Sequence, residues 1–85
     1  MAYLNTAGSQ EWLKVQLERS GLHTLSRLAE VAGINKGTLS KYFTQKQRPT
    51  IDVVGTLCLA LHVSPSELLY GLGAIPDTEL AAARN

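Results

Sequence analysis

The 85-residue sequence has a single cysteine, Cys58, which excludes an internal disulfide, and no Cys/His spacing in it matches a zinc site. Nothing here asks for an oxidising compartment, so a cytoplasmic location is the expectation. Long apolar runs are also missing. The longest, Leu57 to Leu61, is far short of the roughly 18 residues that a membrane-spanning helix requires, and no membrane is expected among the partners. Met1 to Gly8 carry neither the basic nor the apolar region of a signal peptide. An excess of one charge is absent too: eight basic against seven acidic side chains leave +1, which as a total points to no polyanionic partner. There is no glycine-rich phosphate loop and no paired carboxylate constellation, so nothing supports an enzyme, and no cofactor or metal is expected. His23 and His62 fall at helix boundaries without a ligand set, and they read as polar end residues.

What is present is helical spacing. The β-branched residues never alternate over the length of a strand, whereas intervals of three and four recur, and the chain is expected to be all-α. At 45% hydrophobic residues it suits one small domain. A first helix starts near Ser9 or Gln10 and ends at Ser20, with Gly21 as its cap and Trp12 as a core anchor. A second follows Thr24 and places Leu25, Leu28, Ala29 and Ala32 on one face up to Gly33. A third, capped by Asn35, runs from Lys36 to about Thr44 with Leu39, Tyr42 and Phe43 inward. A fourth begins after Thr50 and carries Ile51, Val54, Leu57, Cys58 and Leu61 at spacings of three and four. Ser64-Pro65-Ser66-Glu67 is a capping box for a short fifth helix that Gly71 closes. Ser9, Ser64 and Ser66 are all accounted for as caps, and Cys58 reads as a small buried hydrophobe. Leu72 to Pro76 reads as a linker, and Asp77 to Arg84 as one or two helical turns.

The near-zero net charge hides a segregation. Residues 24 to 50 hold Arg27, Lys36, Lys41, Lys46 and Arg48 against Glu30 alone, which is +4; residues 51 to 85 hold Arg84 against Asp52, Glu67, Asp77 and Glu79, which is −3. Between Asn35 and Thr50 there is no acidic residue. At 100° per residue, Gly37, Lys41 and Thr44 lie opposite Leu39, with Thr38, Ser40 and Gln45 on the flanks. An ordinary solvated helix mixes glutamates among its lysines. A helix laid in the major groove needs small side chains for close approach, hydroxyls and lysines for base edges, and no carboxylate beside phosphate.

Leu28-Ala29-Glu30-x-x-Gly33-Ile34-Asn35, then Leu39-Ser40-x-Tyr42, Arg48-Pro49-Thr50 and Leu59-x-Leu61-x-Val63-Ser64-x-x-x-Leu68-Leu69 form a pattern that resembles the helix-turn-helix family of Cro and the lambda repressor. The resemblance runs without a gap from about Thr24 to Leu69. It implies a compact five-helix bundle, with an N-terminal arm at 1–8, the DNA-binding domain at 9–71 and a tail at 72–85. It also implies that Lys36, Gly37, Ser40 and Lys41 face base edges. Thr24, Asn35, Thr38, Thr44, Gln45, Lys46 and Arg48 are then expected at the DNA backbone. Three positions depart from the family pattern: Leu25 stands where glutamine is common, Gln45 replaces a frequent loop glycine, and one extra residue follows Gly21. Gly37 inside the recognition helix costs roughly 1 kcal/mol relative to alanine, which suits a close approach of backbone to DNA.

The function expected from these residues is a sequence-specific double-stranded DNA-binding regulator, a bacterial or phage repressor on an operator. One recognition helix reads only a few base pairs, so a homodimer on half-sites about 34 Å apart is expected. Leu72, Ile75 and Leu80 are the candidates for the dimer contact, with capping of the domain's own core as the competing assignment. Four cations per subunit give eight phosphate contacts per dimer, and at about 0.9 per contact a log–log salt slope near −7 as an upper value. The alternative from another class is a protein-interaction module, or an antitoxin-type subunit on the same scaffold with a protein partner.

Overall fold

The computed structural model describes residues 2–79. Five helices follow in order: α1 (Thr6–Ser20), α2 (Leu25–Ala32), α3 (Lys36–Phe43), α4 (Ile51–Leu61) and α5 (Pro65–Gly71). A further helical turn begins at Asp77, and no strand occurs among the described residues. The all-α expectation therefore holds.

Each helix starts where a side-chain oxygen takes up backbone N–H groups that have no partner inside the helix. Thr24 accepts from Arg27 N–H, Asn35 from Gly37 and Thr38, Thr50 from Val53 and Ser64 from Glu67. The first helix is longer than its apolar spacing suggests. Asn5 is the true cap, accepting from Gly8 N–H at 2.8 Å, so α1 begins at Thr6 rather than near Ser9. Ser9 caps nothing and is fully buried one turn inside the helix. The arm accordingly shrinks to residues 2–5. It lies against the other end of the described chain, where Ala2 N–H donates to the Asp77 carboxylate and Asp77 N–H to the Ala2 carbonyl.

The helices close around Leu13, Leu17, Leu28, Leu39, Phe43, Leu57, Leu61, Leu68 and Leu72. Trp12 stacks on Phe43 at a ring-centroid distance of 6.3 Å, which gives it the anchoring place its sequence position suggests. Its indole also lies over Gly71, where a Cβ would come within 2.3 Å of the ring. The segment after α5 is packed, not a linker: Leu72, Gly73 and Pro76 are buried. Leu72 is 0% exposed. It continues the inward row of Leu68 by one turn, since its N–H bonds the Leu68 carbonyl, and so it belongs to the core and offers nothing to a second subunit. Ile75 is half-buried, and Leu80 lies outside the described residues. The apolar spacing of α4 also misleads at its first residue, because Ile51 points outward and is 84% exposed.

Candidate nucleic-acid interface

The turn between α2 and α3 fixes how α3 is presented. Gly33 caps α2 in the left-handed region, with its N–H on the Ala29 carbonyl, and Ile34 N–H follows onto the same carbonyl at 3.0 Å. Two residues later, Asn35 opens α3. Leu39, Tyr42 and Phe43 are buried, so rotation about the α3 axis is set by three side chains on one stripe. Lys36, Gly37, Ser40 and Lys41 are thereby all exposed on the other side, and the structure brings these four expected base-reading residues onto one face. Neither lysine has a carboxylate partner among the described residues. Gly37 has an internal reason beside the expected one: a Cβ there would stand 3.0 Å from the Asn35 carboxamide oxygen that caps the helix.

The residues expected at the DNA backbone divide into two groups. Thr24, Asn35 and Lys46 are exposed, and Thr38 is half-buried on the flank of α3. Thr24 and Asn35 hold the N-termini of α2 and α3 in shape, and those termini carry the partial positive charge that attracts phosphate. Thr44 is half-buried; its hydroxyl donates to the Ser40 carbonyl at 2.7 Å, and its own carbonyl accepts from the Thr6 hydroxyl.

Gln45 is half-buried and Arg48 exposed, and the side chains of both are engaged by other parts of the subunit. Gln45 adopts φ +61°, a left-handed backbone that glycine adopts at little cost, which is the physical reason a glycine is frequent there. Its amide nitrogen donates to the Leu4 carbonyl and to the Ser9 hydroxyl, each at 2.8 Å. Arg48 sends its guanidinium to the Leu72 and Gly73 carbonyls behind α5. The loop after α3 is thus fastened at one point to the N-terminal segment and at another to the C-terminal one. Gly73 sits between the two fastenings, where a Cβ would lie 2.2 Å from the Gln45 amide nitrogen and 2.7 Å from the Leu4 carbonyl. The signal available in the sequence was the Gln45 departure itself.

Electrostatically the face is sharpened. Arg27 is paired with Glu30 at 2.7 Å on α2, and Arg48 is engaged with carbonyls, so of the five cations between residues 24 and 50 Lys36, Lys41 and Lys46 are the exposed ones without a partner among the described residues. His23 has a neighbour that spacing did not suggest, the Glu18 carboxylate at 3.1 Å. Even so, no group of three potential metal ligands occurs among the described residues. Cys58 is buried on α4, and burial first, then the nearby Glu67 charge, pushes its thiol above the usual range. Such a thiol is a poor nucleophile.

With the geometry in place, the class is a helix-turn-helix domain of α2 and α3 inside a five-helix bundle. Residues 13–70, more than half of the chain, match the family model of the Cro/C1-type helix-turn-helix DNA-binding domain, and the chain belongs to that family. No curated protein and no solved structure matches it significantly.

Proposed function

We propose that this DNA-binding regulator is a sequence-specific repressor of bacterial or phage type that occupies an operator as a homodimer. The observation that carries the reading is the outward face of α3, which is exposed, free of carboxylates and composed of Lys36, Gly37, Ser40 and Lys41. In the groove, the two lysines donate to guanine O6 and N7, and Ser40 donates to or accepts from a base edge. Lys46, with the helix N-termini capped by Thr24 and Asn35, takes the flanking phosphates and sets the register. Lys46 gives two phosphate contacts per dimer and a log–log salt slope of about −2 at roughly 0.9 per contact, with about −5 as the upper value if the groove lysines also displace counterions.

The experiment is selection of bound sites from random duplex DNA, followed by fluorescence-anisotropy titration of the selected site across salt. A two-fold symmetric site, bound at least about a thousandfold more tightly than random DNA, is the expected result. Retention of no sequence, even at low salt, would overturn the reading in favour of the protein-interaction module.

A further inference from the structure

We propose that the outward face of α4, formed by Ile51, Gly55 and Leu59, is the surface through which two copies of this chain pair. The inference rests on the dimeric reading above and names the surface that the reading leaves open, since Leu72 lies in the core. Ile51 is 84% and Leu59 80% exposed. They stand four residues either side of Gly55, and the steps of four keep all three on one stripe of the helix. These are the two most exposed large hydrophobic side chains among the described residues.

Gly55 is the second observation. Glycine in a helix interior is destabilising, and nothing in the subunit requires it here: a Cβ at this position would meet no atom within 4 Å, and its φ is not in the left-handed region. A glycine flanked by exposed aliphatic residues makes sense where another helix approaches closely.

The choice of occupant follows from charge and from pattern. The helix carries Asp52 and no cation, so the face does not suit a phosphate backbone. The order large, small, large reads nearly the same in both directions about Gly55. When two such helices cross antiparallel on a two-fold axis at Gly55, Ile51 of each meets Leu59 of the other, which is the self-complementarity an isologous interface demands. The stripe starts at the first residue of α4, shortly after the loop that carries Lys46. Three residues of one helix are far fewer than the roughly 20–30 a side of a stable complex. The dimer is therefore weak in solution, and the operator completes it.

The test uses the full chain without DNA, so that a failure of the DNA reading leaves every outcome below unchanged. Sedimentation velocity from micromolar to millimolar protein is expected to show a monomer–dimer equilibrium. Leu59→Lys and Gly55→Gln should each move its midpoint to at least tenfold higher concentration. Both should keep the wild-type circular dichroism, because the two positions face open space. Gly55→Cys should oxidise to a disulfide-linked dimer faster than Val31→Cys on α2, since buried Cys58 does not compete. A monomer at every concentration, a midpoint untouched by both variants, or Gly55→Cys cross-linking no faster than the control would each overturn the proposal.

Discussion

The amide nitrogen of Gln45 donates to the hydroxyl of Ser9 at 2.8 Å, across 36 residues of chain. One partner is fully buried in α1, and the other belongs to the loop that presents Lys46. The bond therefore joins a core position to the rim of the candidate DNA interface. Removing it strands a buried hydroxyl and frees the Leu4 carbonyl, at a cost of about 1–3 kcal/mol. Gln45→Ala is expected to destabilise the fold by that amount in urea denaturation. Gln45→Gly should lose less than alanine does, because glycine relieves the φ of +61°.

Gly73→Ala should be among the most damaging single-methyl additions. Its φ is +75°, and the new carbon would run into both the Gln45 amide and the Leu4 carbonyl. A loss of more than about 2 kcal/mol is expected from strain and overpacking together. Thermal unfolding followed by circular dichroism measures it.

Lys46 and Arg48 lie two residues apart, yet they should separate in salt titrations. Lys46→Ala is expected to lower affinity for every DNA sequence alike and to reduce the salt slope by about 1 per subunit. Arg48→Gln should lower affinity through a displaced loop and leave the slope unchanged, since the guanidinium is held by the Leu72 and Gly73 carbonyls. Lys36→Ala and Lys41→Ala should instead relax base preference, each at a cost of about 1–3 kcal/mol on the selected site.

Gly55→Ala is expected to stabilise the isolated subunit by about 0.5–1 kcal/mol, since the added methyl meets nothing and the helix gains propensity. Thermal unfolding at micromolar concentration, where the monomer dominates, reads this directly.

Cys58 should resist thiol reagents in the native protein and react on unfolding, because burial and the Glu67 charge raise its pKa and so suppress its ionisation. The sign for stability follows from the same shift. Below the ordinary thiol value of 9.0 both states are protonated and this group adds no pH dependence; above it the unfolded chain ionises first, so its contribution to stability falls as pH rises. Ellman's titration with and without urea, at pH 7.5 and 9.5, checks both statements.

The helices that carry their own start signals were legible in the sequence: Thr24, Asn35, Thr50 and Ser64 all cap where their spacing from the next apolar stripe places them. So was the exposed set on α3, because Leu39, Tyr42 and Phe43 leave one way for that helix to turn. The start of α1 was hidden, since Thr6, Ala7 and Gly8 bring no large apolar side chain to mark a stripe and Asn5 alone announces it. The bonds that Gln45 and Arg48 make to other parts of the subunit were hidden for a different reason. Both bond to backbone carbonyls from distant parts of the chain, and a carbonyl has no sequence signature. Ile51 was misread because a spacing of three to Val54 is shared by residues on the edge of a stripe and residues just beyond it.

The two bonds between Ala2 and Asp77 close the described chain into a ring. In the circuit so formed, the arm leads through Leu4 to Gln45, and the segment beyond α5 leads through Gly73 to Arg48. A single proteolytic nick among residues 2–5 would therefore slacken a loop some forty positions downstream without breaking any helix. A circular permutant that joins the two ends and opens the chain elsewhere would keep that loop taut.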